Sequence, residues 1–412
     1  MKALVLAGGF PQIALLNELR SRGIYTILAD YYENPVAKPY ADQFYQVSTL
    51  DIAGITHIAQ KESVDFLITV CTDQALLTVA KVSEDLGLPC YIDYQTGLNV
   101  TNKQYMKKMF RQFNVPSAKY AVMDTLEWSE LQDMAYPLVV KPVDCNSSKG
   151  VVQVHNDEEL KIAFDKAIAY SRTDTAIIEE FIDGLELTVD VYVENGKASV
   201  LAVSNSEKIK DSEKFVIFRT KYPVISSQAI ADKVAAVAQG IADAFEIKNS
   251  PMLIQMILRD GDINVLEFSA RTGGGVKYQL IRRVSGFDVI KAVVDLTMGQ
   301  CPHLETRPAE NNYIVNEFIY CKPGVFDHLE NFEELKQEGI LSDYFLFKWR
   351  GAVFDTIANS GDRVAGFTVQ ADTLPELYEK HQAAVSRLKV IDSQGEDMMR
   401  HDILLDLEYH LI

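Results

Sequence analysis

The stretch from Leu253 to Leu280, LIQMILRDGDINVLEFSARTGGGVKYQL, organises the chain. LIQMIL and INVLEF are apolar runs rich in β-branched residues, joined by Arg259-Asp-Gly-Asp262. Gly261 can take a positive φ there, so the spacing predicts a hairpin. Residues two apart share a face of a strand, which sets Gln255 and Glu267 near one another on neighbouring strands. The second strand runs into Ser269, Arg271 and three glycines. A carboxylate, a guanidinium and an open glycine loop at one strand end suit Mg²⁺ and a phosphate. Taken alone, the same residues also describe a half-buried hairpin with a polar edge.

The 412 residues exceed a single core and predict roughly two to four domains. With 48% apolar and 24% charged residues the composition is that of a soluble globular protein. The net charge of −18 argues against nucleic acid or a membrane surface as partner, since each favours a basic face. No apolar run approaches a membrane span, and MKALVLAGGF leads into a folded pattern and not a signal peptide. Five scattered cysteines and seven histidines without zinc spacing point to a reduced, cytoplasmic setting.

Residues 1–96 alternate strand and helix, from ALVLA through YTILAD and FLITV to a short strand at PCYID, which predicts a parallel sheet. Gly8-Gly9 and Asp30 invite a dinucleotide reading, but GGFPQI lacks the third glycine of that fingerprint. A helix opens at TNKQYMKKMF, capped by Thr101 or Asn102, and Pro116 forbids its continuation. PLVVKP is a buried strand whose Lys141 must reach solvent or meet an anion. The loop Asp144-Cys-Asn-Ser-Ser-Lys-Gly150 can fold its N–H groups over phosphates, or be a plain turn. DEELKIAFDKAIAYSR is a helix with acids in its first turn, and Asn195-Gly196 closes a second hairpin. SNSEKIKDSEKFVIFRTKYPV, from 204 to 224, is a charged loop whose Lys208, Lys210, Arg219 and Lys221 either face solvent or close on an anion. IRRVSGFDVIKAVVDLTMG and DHLENFEELKQEG are each expected as a helix, the second within a small α+β unit that follows the connector CPHLETRP.

Set in order, Lys103, Lys141, the small-residue loop, EEFI-DGLE and LEFSAR resemble the ATP-grasp superfamily, most closely its carboxylate–amine ligases. These include the L-amino-acid ligases and the phosphoribosylamine–glycine ligase and biotin carboxylase groups. The resemblance covers nearly the whole chain and implies a mixed α/β and α+β fold. Its parts are a Rossmann-like pre-ATP-grasp domain (1–96), a two-lobed ATP-grasp core (97–300) with a mobile lid near 115–187, and a C-terminal α+β cap (301–412). It implies ATP and Mg²⁺ as cofactors, with Mn²⁺ able to substitute. Lys103 and Lys141 match lysines that approach the ATP phosphates, and Ser147, Ser148, Lys149 and Gly150 match the phosphate-covering loop. Glu179, Glu180 and Ile182 match the adenine-binding hinge, and Glu186 the acid that accepts the ribose hydroxyls. Glu267 matches the metal-bridging carboxylate, and Arg271 an arginine beside the transferred phosphoryl group.

Two positions depart from that pattern: Gln255 replaces a metal-binding Glu and Ser269 an Asn. Each keeps a neutral oxygen for Mg²⁺, but Gln255 removes one negative charge. The implied reaction phosphorylates a small carboxylate, such as an amino acid, and passes the acyl group to an amine, releasing ADP and phosphate. The N–H groups of Thr272 to Lys277, with the Lys277 side chain, suit the substrate carboxylate or the tetrahedral intermediate. Arg282 and Arg283 either bind a further anion or face solvent. The alternatives are a phosphoribosylamine–glycine ligase-like enzyme and an ATP-binding protein whose catalysis Gln255 has weakened. Superfamily members are often dimeric, so a homodimer is the expected assembly.

Overall fold

The chain is described by a computed structural model over residues 1–145, 150–209, 215–309 and 311–412. Strands β1 (Lys2–Leu6), β2 (Tyr25–Asp30), β3 (Gln43–Gln46) and β4 (Phe66–Ile68) form a parallel sheet in the order β3-β2-β1-β4. The Asp30 carboxylate accepts from the backbone N–H groups of Gly8 (2.6 Å) and Tyr32 (2.8 Å). Pro35 fills the space a side chain at Gly8 would need. Asp30 thus ties down its own loop, which leaves the dinucleotide reading without support. Residues 89–93 form no strand, contrary to expectation, and a short helix, Tyr94–Asn99, follows them.

A second sheet, antiparallel and ordered β5-β8-β6-β7, contains β5 (Tyr120–Met123), β6 (Leu138–Pro142), β7 (Val152–Val154) and β8 (Ala176–Glu180). The helix Asp157–Tyr170 covers it, with Leu160, Ala163, Phe164 and Ala167 in the shared core. The next strands are β9 (Leu185–Glu194), β10 (Lys197–Lys208), β11 (Ile217–Tyr222), β12 (Ser250–Arg259) and β13 (Asp262–Ser269). After them come β14 (Tyr313–Ile319), β15 (Gly324–Glu330), β16 (Asp343–Leu346), β17 (Val353–Phe354), β18 (Ala365–Ala371) and β19 (Lys389–Asp392). The largest sheet has eight strands in the order β13-β12-β9-β10-β11-β14-β18-β16, and β17-β15-β19 form a separate small one. Strands of the 301–412 segment therefore continue the sheet of the core.

The period of two in β9 decides which face does what. Leu187, Val189, Val191 and Val193 enter the main core with Ile254, Met256, Val265 and Phe268. Glu186, Thr188 and Asp190 lie on the other face. The predicted β12–β13 hairpin turns at Asp260 and Gly261, both with positive φ, and pairs Gln255 with Glu267.

Three further expectations fail. The 204–224 segment is not a charged loop at its described ends: β10 runs to Lys208, and β11 carries Arg219 and Lys221. Lys210 lies outside the described residues. The expected single helix around Gly286 is two, Lys277–Ser285 and Val289–Thr297, because Gly286 caps the first in the left-handed region (φ +75°). DHLENFEELKQEG begins as β15 and turns helical only over Phe332–Gln337.

Arg219, completely buried, explains why the charged segment folds. Its Nε donates to Glu317 Oε1 (2.5 Å), Nη1 to Glu207 (3.0 Å), and Nη2 to the carbonyl of Leu404 (2.9 Å). Removing one partner of a buried pair leaves an uncompensated charge, so Arg219→Met is expected to destabilise by about 3–5 kcal/mol. Urea unfolding checks this: the midpoint falls in the single variant, and adding Glu317→Leu recovers part of the loss.

Candidate active site

Between the β5-β8-β6-β7 sheet and the eight-stranded sheet lies a cavity of about 500 Å³. Lys103, Lys141, residues 179–186, Lys208, Gln255 and Glu267 are among its walls. The helix Lys103–Gln112 reaches it because Asn102 caps its start, accepting from Tyr105 N–H at 2.9 Å. Lys103 Nζ donates to the Cys145 carbonyl (2.7 Å) and sits 3.4 Å from Glu267 Oε2. One turn further along, Lys107 Nζ lies 2.6 Å from Glu179 Oε1, and Lys141 Nζ pairs with the other oxygen of the same carboxylate. Burial alone would raise the Glu179 pKa, but the two ammonium groups outweigh it and hold it at about 2. Burial lowers the Lys107 pKa against the opposing pull of Glu179.

Glu179 thus directs its side chain into an ion triad and not into the cavity. Glu180 turns outward, accepting from Ala135 N–H (3.3 Å) with Lys119 at 3.4 Å. Phe181 and Ile182 line the cavity beside them. Glu186 pairs with Lys208 and lies 3.5 Å from Gln255 Nε2. Gly150 takes a positive φ (+72°) and packs against Pro142 and Tyr170. Ser147, Ser148 and Lys149 lie outside the described residues.

Past Glu267, the chain carries Ser269 and Arg271 to the start of the helix Asp73–Leu86. Arg271 Nε donates to Asp73 Oδ1 at 2.6 Å, Nη2 pairs with Oδ2, and Nη1 donates to the Thr272 carbonyl (2.8 Å). Ser269 also hydrogen-bonds Asp73. Burial opposes ionisation of both partners, yet their attraction and hydrogen bonds lower the Asp73 pKa and raise that of Arg271. Lys277 is buried, donates to Ser204 Oγ, and lies 4.0 Å from Asp190 Oδ2. Arg282 is exposed, 3.7 Å from Asp288, whereas Arg283 donates to Gln370 (2.5 Å).

A divalent cation would find one open carboxylate here, Glu267, with the oxygens of Gln255 and Ser269 on the same hairpin. Among the described residues no three His, Cys, Asp or Glu side chains converge to hold a metal unaided. That set fits Mg²⁺, which takes one or two carboxylates and completes its shell with phosphate oxygens and water.

Residues 134–279, which run from just before β6 through β13 into the helix Lys277–Ser285, match the family model of the ATP-grasp domain. Over that span the chain is similar to ATP-grasp domains. A phosphoribosylamine–glycine ligase of Lactococcus lactis is 25% identical over 218 residues, 50% of this chain and 52% of that protein. A D-alanine–D-alanine ligase of Bacillus velezensis is 27% identical over 190 residues, 42% of this chain and 52% of that one. The chain thus spans about half the length of these curated relatives. Its fold is similar to that of an L-amino acid ligase from Bacillus licheniformis, with a TM-score of 0.78 at 20% identity over 95% of this chain and 98% of that one. A phosphoribosylglycinamide synthetase from Anaerococcus prevotii gives a TM-score of 0.73 at 18% identity over 95% and 99%.

Sequence reasoning passed over three residues of this candidate site. Lys107 follows Lys103 by four positions, a spacing that puts both on one helix face and could have revealed it. Asp190 is a lone carboxylate in the apolar run LTVDVYV, itself a signal. Asp73 gave none, since its partner lies 198 residues away.

The Glu179 triad yields a prediction with a fixed sign. Its folded pKa of about 2 lies below the ordinary 4.5, so its stabilisation is present above the ordinary value and fades as pH falls between the two. Glu179→Gln is expected to unfold about 3–5 kcal/mol more easily at neutral pH. Denaturation of both proteins across acidic pH should show that gap closing as pH approaches 2.

Proposed function

We propose that this chain is an ATP-dependent carboxylate–amine ligase. It activates a small carboxylate, an amino acid first among them, as an acyl phosphate and transfers the acyl group to an amine. One observation carries the reading: Gln255 and Glu267 share one row of a sheet face and Glu186 stands in the next, along a cavity that Lys103 and Lys141 also line. A nucleotide laid along that face has its base at Phe181 and Ile182, its ribose at Glu186 and its phosphates toward the lysines.

A carboxylate and a γ-phosphoryl group repel one another, and the site must hold both within reach. Lys103 and Lys141, on the cavity wall, supply positive charge to that region, and Arg271, held by Asp73, stands beyond the end of β13. Mg²⁺ held by Glu267, Gln255 and Ser269 would neutralise charge on the phosphates. Arg271 is oriented by Asp73, so the N-terminal domain sets the angle of a guanidinium on the core. The lobe near 115–187 would close over the cleft to keep water from the acyl phosphate. The curated similarity to a phosphoribosylamine–glycine ligase supports an amine acceptor of that kind as the alternative substrate. Gln255 supports a second reading, nucleotide binding with weakened turnover, because it brings no charge to the metal.

ADP and phosphate release from Mg-ATP with pooled amino acids tests the assignment. Wild type is expected to release both only when the pool is present, and Glu267→Ala to lose at least about 100-fold, the scale of one transition-state contact. AMP release would overturn it. Turnover that appears only in Gln255→Glu would favour the second reading.

A further inference from the structure

Asp190 is 1% exposed, and neither of its carboxylate oxygens has a hydrogen-bond partner among the described residues. Lys277, the nearest cation, stands 4.0 Å away and spends its hydrogen bond on Ser204. Arg271 is engaged bidentately by Asp73. A buried carboxylate left in this condition costs several kcal/mol. Where a native fold retains such a group, a ligand that completes it is the natural explanation.

Its position says which ligand. Thr188, Gln255 and Glu267 form one row across β9, β12 and β13, and Asp190, Leu253 and Ser269 form the next. Glu186 lies on the opposite side of the metal row, paired with Ile257. Asp190 therefore sits on the same face as Glu186, four residues and about 13 Å further along the strand. A nucleotide with its ribose at Glu186 and its phosphates over Glu267 ends just short of Asp190. The glycine loop roofs this spot closely: a Cβ on Gly273 would come within 3.1 Å of Asp190 Oδ1 and 2.8 Å of Lys277 Cγ.

We propose that Asp190, beneath the Thr272–Val276 loop, is the binding site for the cationic amine that accepts the acyl group. This rests on the ligase reading above. The ammonium docks on the unpartnered carboxylate when the loop lifts, and Asp190 takes the proton that frees the nitrogen lone pair. That nitrogen attacks the acyl carbon, the bond from that carbon to the phosphoryl oxygen breaks, and the pair leaves with phosphate, which carries off the second N–H proton. Burial raises the Asp190 pKa to about 6 against the pull of Lys277 and Arg271, which suits a group that takes up a proton near neutrality.

Two readouts separate this proposal from the reading beneath it. Amino-acid amides, which keep the ammonium but lack a free carboxylate, are titrated one by one into wild type, Asp190→Asn and Asp190→Glu with Mg-ADP present. At least one amide should bind wild type and lose about tenfold or more in Asp190→Asn, with partial recovery in Asp190→Glu. Equal binding to wild type and Asp190→Asn, or none to wild type, overturns the proposal; unchanged Mg-ADP affinity shows that the variants fold. Separately, hydroxylamine traps acyl phosphate made from pooled amino acids without needing an ammonium site. Hydroxamate should persist in Asp190→Asn, and its absence from wild type would instead count against the ligase reading.

Discussion

The contact on which the cleft depends is Glu179 with its two lysines. Lys141 comes from β6 beside it, and Lys107 from the helix that precedes the lid, where Nζ also reaches the Val265 carbonyl of β13 (3.3 Å). One buried carboxylate therefore fastens the β5-β8-β6-β7 sheet, the helix and the β12–β13 hairpin together. With Glu179 committed to that work, Phe181 and Ile182 line the cavity beside it. Burying three charges is unfavourable unless all are paired, so the arrangement tolerates little movement at its centre.

The same division between rigid and reactive parts runs along the large sheet. Alternation in β9 sends valines into the core and lines up Glu186, Thr188 and Asp190 on the working face. At one end of that face the fold ties Glu186 to Lys208. At the other, Asp73 reaches from the N-terminal domain to orient Arg271 and Ser269. The N-terminal segment and the large sheet thus both contribute charge at that face.

Much of this was legible from local pattern. The hairpin around Gly261, the Asn195-Gly196 turn and the buried Lys141 follow from turn chemistry and the cost of a lone charge in a strand. The failures share a cause. Arg219 reads as solvated because its neighbours are charged, but a guanidinium with partners from β10, β14 and the segment near Leu404 is buried by contacts no local window contains. Gly286 breaks a helix that its flanking apolar period would have continued. Asp73–Arg271 is wholly a product of domain contact, and the Lys107 spacing was available but unweighted.

The central claim is that the cleft joins a carboxylate oxygen to the γ-phosphorus of ATP. Amino acids carrying heavy oxygen in their carboxylates, supplied with Mg-ATP, test this directly by mass analysis of the released phosphate. The account predicts one labelled oxygen in each phosphate formed and none in the nucleotide. Label recovered in AMP, or phosphate released without label, would contradict it.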